Sequence, residues 1–151
     1  MEHRILSLPS FSVVGMDHLV RGSVDGIGQL WQRFLPREHE IVGRTEAAVA
    51  YGVCRLLPDG SACYVAGLPV ATDAAPPEGM VRFDVPAQKY VVFTHRGTAA
   101  QIGDSFQAIH TRLLARLGLR ACAGVELERY DARFSGPHDP DSETELYIPI
   151  E

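Results

Sequence analysis

Positive charge is scarce and scattered in this sequence: 14 Lys and Arg stand against 19 Asp and Glu, a formal charge of −5 over 151 residues. A protein that grips phosphate backbones needs concentrated positive charge, so direct nucleic acid binding is not expected. Cysteine is sparse as well. Cys54, Cys63 and Cys122 are odd in number, widely spaced and form no C-x-x-C, which argues against a disulfide framework or a zinc site and for buried free thiols. Long apolar runs are missing, and no stretch approaches the roughly 18 residues of a membrane span. The opening MEHRILSLPSFSVVG is charged at once and reaches Pro9 after one short apolar run, so it lacks the core of a secretory signal. A cytoplasmic location is the expectation.

Catalytic and cofactor signatures are also absent. There is no G-x-S-x-G, Walker A or dinucleotide fingerprint, and no histidine pair at i,i+4. IGQL and IGDS read as helix starts, not phosphate loops. No metal or cofactor is expected. His95 ends a strand and reads as a surface or satisfied core histidine. At 46% hydrophobic and 22% charged the composition is that of a folded globular chain. Its length fits one compact domain or two half-size units sharing a core.

An internal echo favours the second. The segment from Arg21 to Phe34 aligns without a gap on that from Arg96 to Ile109, at an offset of 75 residues. Arg-Gly, Ile-Gly and Gln are identical, Ser23 answers Thr98, Trp31 answers Phe106, and Leu8-Pro9 answers Val85-Pro86 after a small adjustment. Two units that cannot bury their apolar faces alone can do so jointly. The halves are residues 1–75 and 76–151.

Each half carries the same order of elements. Residues 11–20 and 89–96 are β-branched and aromatic and read as strands. Ser23 and Thr98 stand at helix N-cap positions, with Thr98-x-x-Gln101 forming a capping box. Ile27, Leu30, Trp31, Phe34 and Leu35 recur at helical spacing, as do Ile102, Phe106, Ile109, Leu113 and Leu117, and Pro36 and Gly118 close the two helices. Runs 46–56, 61–70, 124–131 and 143–150 read as strands, 71–79 as a linker and 132–142 as a polar loop. The expected fold is α+β: duplicated β-α-β-β units with pseudo-twofold symmetry, an antiparallel sheet, both helices on one face and a ligand cleft on the other.

The opposite face follows from alternation. In the last strand Leu146, Ile148 and Ile150 point inward and Glu143, Glu145, Tyr147 and Pro149 outward. Yet YVVFTH and AVAYGVC are apolar on both sides, so a second cover is needed: a subunit, a folded-over half of the sheet, or a ligand. Tyr51, Tyr64, Tyr90, Phe93 and Tyr147 are candidate walls, and Trp31 another if its helix end reaches the rim. Glu145, flanked by Leu146 and Tyr147, would be partly desolvated, favouring a cationic partner or a raised pKa, whereas Glu143 lies nearer solvent. Glu126 and Glu128 read as edge-strand charge that prevents aggregation.

In order along the chain, YGVCRL, YVAGLPV, VPAQKYVVFTHRG followed by a helix, and TELYIPI resemble the GyrI-like small-molecule-binding domain, the effector-binding domain of AraC-type and MerR-type multidrug-responsive regulators. The resemblance covers essentially the whole chain. It implies a duplicated β-α-β-β fold with an aromatic-walled cleft and a buried glutamate that attracts cationic, hydrophobic compounds. By motif position that glutamate maps onto Glu145, with Glu143 as its rival, and Tyr51, Phe93 and Tyr147 onto the walls. No helix-turn-helix precedes the first strand, so the resemblance implies a stand-alone binder that sequesters a compound, works with a separately encoded regulator, or acts on its ligand. Two further readings follow from relatives of this fold. One is a hydrolase of reactive genotoxins, with Glu145 as base and Tyr147 or Tyr51 as proton donor; the other is contact with a topoisomerase, as in gyrase inhibition.

Overall fold

The computed structural model describes residues 1–23 and 25–151, so Val24, one position of the echo, lies outside the described residues. Among the described residues eight strands and two longer helical segments follow one another: β1 (His3–Leu8), β2 (Phe11–Val20), α1 (Gly26–Phe34), β3 (Ala50–Leu56), β4 (Ala62–Val70), β5 (Val81–Val85), β6 (Gln88–Arg96), a second helix, β7 (Val125–Tyr130) and β8 (Glu143–Pro149). The second helix opens with a 3-10 turn at Ala99–Gln101, continues as α2 (Ile102–Ala108), passes through a π turn at Ile109–Leu113 and ends as α3 (Leu114–Arg116). All strand pairings are antiparallel, in the order β1-β6-β8-β7-β3-β4-β2-β5. The α+β class with both helices on one sheet face is what the alternation pattern predicts.

Each series gains one strand over the expected β-α-β-β. β1 and β5 precede the strands read from sequence, and each crosses over: β1 pairs with β6 of the second series, β5 with β2 of the first. Their connections are the matched dipeptides Pro9-Ser10 and Pro86-Ala87. In a flat sheet, β1 and β2 would stand six strand spacings apart, about 29 Å, whereas the three Cα steps joining them span at most about 11 Å. The sheet therefore curls until its two edges approach.

That curl supplies the cover demanded by the two-sided apolar strands. On the face away from the helices, Val13, Val53, Val65, Val85, Tyr90, Val92, Leu127 and Tyr147 form one buried cluster, with Leu6 and Leu8 of β1 and Phe11 of β2 packed on it. Tyr90 meets Tyr147 edge-on at 5.6 Å, and Phe11 meets Tyr51 at 5.1 Å. Across the helix-bearing face, α1 buries Leu30 and Phe34 against Val14, Tyr64 and Leu68, and the second helix buries Ile102, Ile109 and Leu114 against Val91, Phe93, Leu146 and Ile148. Each such side chain contributes about 1.5–3 kcal/mol of burial.

Both helix ends depart from the sequence expectation. α1 begins at Gly26 with Asp25 as its cap residue, and the Ser23 hydroxyl accepts the Asp25 N–H at 3.2 Å. Pro36 ends the α-helical geometry without stopping the spiral, which runs on as a 3-10 helix over Leu35–Glu40. In the second helix the π turn inserts a residue into the 3.6-residue period. Leu114, five after Ile109, reaches the core, and Leu117, predicted to continue the stripe, is 40% exposed. Gly118 closes the helix at φ 69°, with the Leu119 N–H returning to the Leu114 carbonyl.

Candidate functional site

Strand alternation divides the predicted site residues between the two faces. Tyr51, Tyr90 and Tyr147 share the interior face with Glu145, as the period of two requires. Phe93, Tyr64 and Trp31 do not. Phe93 is packed under the second helix, and Tyr64 and Trp31 belong to the core beneath α1, so these three cannot form one wall with Glu145. Phe93 follows Val92, which points inward, and one residue in a strand reverses the face. His95 is a satisfied core histidine: Nδ1 lies 2.6 Å from the Ser105 hydroxyl and Nε2 3.1 Å from the Thr98 carbonyl.

Glu145 is buried, with its charge matched several times over. Arg4 Nη1 lies 2.5 Å from its carboxylate, Arg133 Nη2 3.1 Å and Arg129 Nη1 3.4 Å. Arg129 also bonds Asp131 at 2.8 Å and Glu46 at 3.2 Å, and Arg133 bonds Asp131 at 2.9 Å, giving three arginines interleaved with three carboxylates. The bond from Arg133 holds the Asp131 carboxyl down to about 2. Burial, then the charge of Glu145, pushes the Tyr147 hydroxyl up to about 12. Glu143 sits two residues before Glu145 on the same strand and is half-buried; its backbone N–H bonds the Arg133 carbonyl.

A second carboxylate stands on the other side of the sheet. β7 is an interior strand, paired with β3 and β8, so Glu126 and Glu128 do not guard an edge as the sequence suggests. They point into the seam between the two helices. Glu128 Oε1 accepts a hydrogen bond from the Tyr64 hydroxyl and another from Tyr130, both at 2.7 Å. Tyr64 in turn accepts the indole N–H of Trp31 at 2.9 Å, which ties α1 to the sheet. Among the described residues Oε2 has no such partner. Trp31 meets Tyr130 edge-on at 5.3 Å and Tyr130 meets Phe134 at 4.8 Å, so the tyrosine that bonds the carboxylate is itself part of an aromatic cluster.

Gly52 makes this contact possible. It lies opposite Glu128 in the register, and a Cβ there would sit 2.2 Å from the Tyr64 hydroxyl and 2.6 Å from Glu128 Oε1. Burial raises the Glu128 carboxyl above its ordinary range, the two tyrosine bonds pull it back and Glu126 adds to the rise. Burial also holds the Tyr64 and Tyr130 hydroxyls well above their usual value, so they remain donors at neutral pH. Two residues earlier, Glu126 bonds His110 Nε2 of the second helix at 2.5 Å. Among the described residues no three His, Cys, Asp or Glu side chains are placed to hold a metal ion. None of the described helices is long and apolar enough to cross a membrane.

The pattern of the GyrI-like small molecule binding domain matches residues 1–151, the whole of the sequence. The chain is a member of that family. This GyrI-like domain is 57% identical over 150 residues to the transcriptional regulator BrlR of Pseudomonas aeruginosa, a match covering 99% of the chain and 56% of BrlR. It thus spans a little over half the length of that relative. Among solved structures it is similar to SAV2435 bound to tetraphenylphosphonium, with a TM-score of 0.76, 16% identity, and coverage of 100% of this chain and 94% of that one. The EcmrR C-terminal domain aligns with a TM-score of 0.73, 12% identity, and coverage of 99% and 97%. These likenesses carry the fold. The family match carries small-molecule binding, and the likeness to BrlR relates the domain to part of a transcriptional regulator.

Proposed function

We propose that the domain binds an amphipathic aromatic compound, cationic or neutral, in the seam between its helices, and that Glu128 supplies the counter-charge. The single supporting observation is the state of that carboxylate: mostly buried, bonded at Oε1 by the neutral hydroxyls of Tyr64 and Tyr130, with Trp31 and Phe134 packed against those tyrosines, and with no partner at Oε2 among the described residues. A cation there gains an unmatched charge and aromatic faces worth about 0.5–2 kcal/mol each. Glu145 and Glu143 were the carboxylates expected from sequence. Three guanidinium groups already balance Glu145, so it is assigned to structure, with Tyr51, Tyr90 and Tyr147 as the packing behind it. Ligand binding in the cytoplasm would then serve a transcription regulator, attached or separately encoded.

The test is a fluorescence or calorimetric titration with tetraphenylphosphonium. Glu128→Gln is expected to weaken binding about 10-fold or more, the ~1.4 kcal/mol or more of one charge interaction. Unchanged affinity in Glu128→Gln, with loss in Glu145→Gln, would move the site to the other face.

A hydrolytic reading rests on one further observation, the raised Glu128 carboxyl beside two protonated phenols. Glu128 would take a proton from water while Tyr64 or Tyr130 gives one to the leaving group. Mass spectrometry of strained electrophiles incubated with the protein between pH 5 and 8 decides it; intact compound throughout removes this reading.

A further inference from the structure

The seam holds a second carboxylate, Glu126, which is hydrogen-bonded to His110. Glu126 and Glu128 leave β7 on the same face, two residues or about 7 Å apart, and share the seam floor with Cys54, which lies opposite Glu126. Burial, then Glu126 and Glu128, pushes the Cys54 thiol up to about 12, so it stays neutral. Tyr64 from β4 and Tyr130 from β7 are neutral as well. The charge facing His110 from the packed strands is therefore Glu126, with Glu128 farther along the same strand; on its own helix Arg112 is exposed. His110 and Glu126 are both part-exposed, at 39% and 29%, so a bound compound can reach them.

We propose that His110 is a specificity-determining residue of this site: protonated, it occupies Glu126 and restricts the seam to ligands with one positive charge, and unprotonated, it releases Glu126 to a second one. The inference rests on Glu128 being the primary counter-charge. Among the described residues this device is found in the second half alone. The residue 75 positions before His110 is Leu35, and α1 is tied to the same floor through two neutral donors, the Trp31 indole to the Tyr64 hydroxyl and that hydroxyl to Glu128. The π turn that contains His110 shifts the register of the second helix at this point. The hydrogen bond to Glu126 raises His110 above the ordinary imidazole range. The ion pair is thus complete at acidic pH and is lost as pH rises through that raised value.

Ethidium and propidium share a phenanthridinium ring and differ by one positive charge, so the ratio of their dissociation constants cancels the titration of Glu128 itself. Fluorescence titrations of the wild type at pH 5.5 and pH 9 are expected to shift the ratio toward propidium by about 5- to 10-fold, the size of one partly screened charge pair. His110→Gln should favour propidium to the same extent at both pH values, and Glu126→Gln should favour it at neither. A ratio unmoved by pH and by His110→Gln would overturn the proposal. Ethidium binding that is absent, or indifferent to Glu128→Gln, would overturn the site assignment together with it. Ethidium binding that depends on Glu128 with an unmoved ratio sinks this inference alone. All three substituted positions are on a preformed strand or an exposed helix face, and circular dichroism confirms folding of each variant.

Discussion

Glu128 and Glu145 lie on opposite faces of one sheet and are both largely withdrawn from water, yet they face opposite surroundings. Glu145 is met by Arg4, Arg129 and Arg133, and its charge is spent inside the protein. Glu128 is met by two phenols, which donate hydrogen bonds without cancelling charge. Burial alone therefore does not make a carboxylate a binding group. The nature of its partners does: cationic partners turn it into a structural tie, whereas neutral donors keep an ionised group tolerable and available.

Substitutions that break this contrast should act on different observables. The largest effect on stability is expected for Glu145→Ala, which leaves three guanidinium groups without their shared partner; removing one member of a buried pair costs 3–5 kcal/mol, reduced here to about 2–3 because the arginines are partly exposed. Urea denaturation should show the loss, and the protein that remains folded should bind tetraphenylphosphonium as the wild type does. Next comes Gly52→Ala, where the added methyl must displace Tyr64 or Glu128; overpacking of this kind costs about 1–3 kcal/mol. Unlike Glu145→Ala, it should weaken ligand binding as well. Tyr64→Phe removes one bond to Glu128 and leaves the Trp31 N–H without its acceptor, at about 1–2 kcal/mol. It should also raise the Glu128 carboxyl further, moving the acid limb of ligand binding to higher pH.

The smallest effect sharpens the comparison through pH. Asp131, in the arginine cluster, has a folded-state value near 2. A depressed carboxylate contributes stability that is present above its unfolded value near 3.9 and is lost as pH falls toward 2. Glu128 has the opposite sign: a raised carboxyl carries a cost at neutral pH that is relieved as pH falls through its folded value. Glu128→Gln is thus expected to be as stable as the wild type or slightly more so at pH 7, with the difference closing by about pH 4. Thermal melts at several pH values measure both slopes, and a Glu128→Gln protein markedly less stable at pH 7 would mean that its carboxylate is a tie like Glu145.

Much of the fold was legible in local pattern. Alternation placed Leu146, Ile148 and Ile150 under the second helix and Glu145 and Tyr147 away from it, and helical spacing identified Leu30, Phe34, Ile102 and Ile109 as core. The Thr98 and Gln101 pair caps the second helix as predicted, the Gln101 side chain accepting the Thr98 N–H at 3.0 Å. The extra strands β1 and β5 were missed because each pairs in the other half of the sheet, and no neighbouring residue signals a partner 66 to 90 positions away. The same reason hid the seam. ELERY shows that Glu126, Glu128 and Tyr130 share a face, but whether that face is an edge or the middle of the molecule depends on strand order.

The sequence by itself determined the elements, their repetition and which residues share each face, because the periods of helix and strand are set by backbone geometry within a few residues. Tertiary structure alone decided that β7 would be interior, that the curled sheet would cover its own apolar face, and which carboxylate would meet arginines and which tyrosines. Those outcomes depend on strand register and on two short proline-containing crossings, which bring distant residues together. The opening scarcity of positive charge gains its meaning there, in where the few arginines are placed: three of them gather around Glu145, and among the described residues none bonds Glu128.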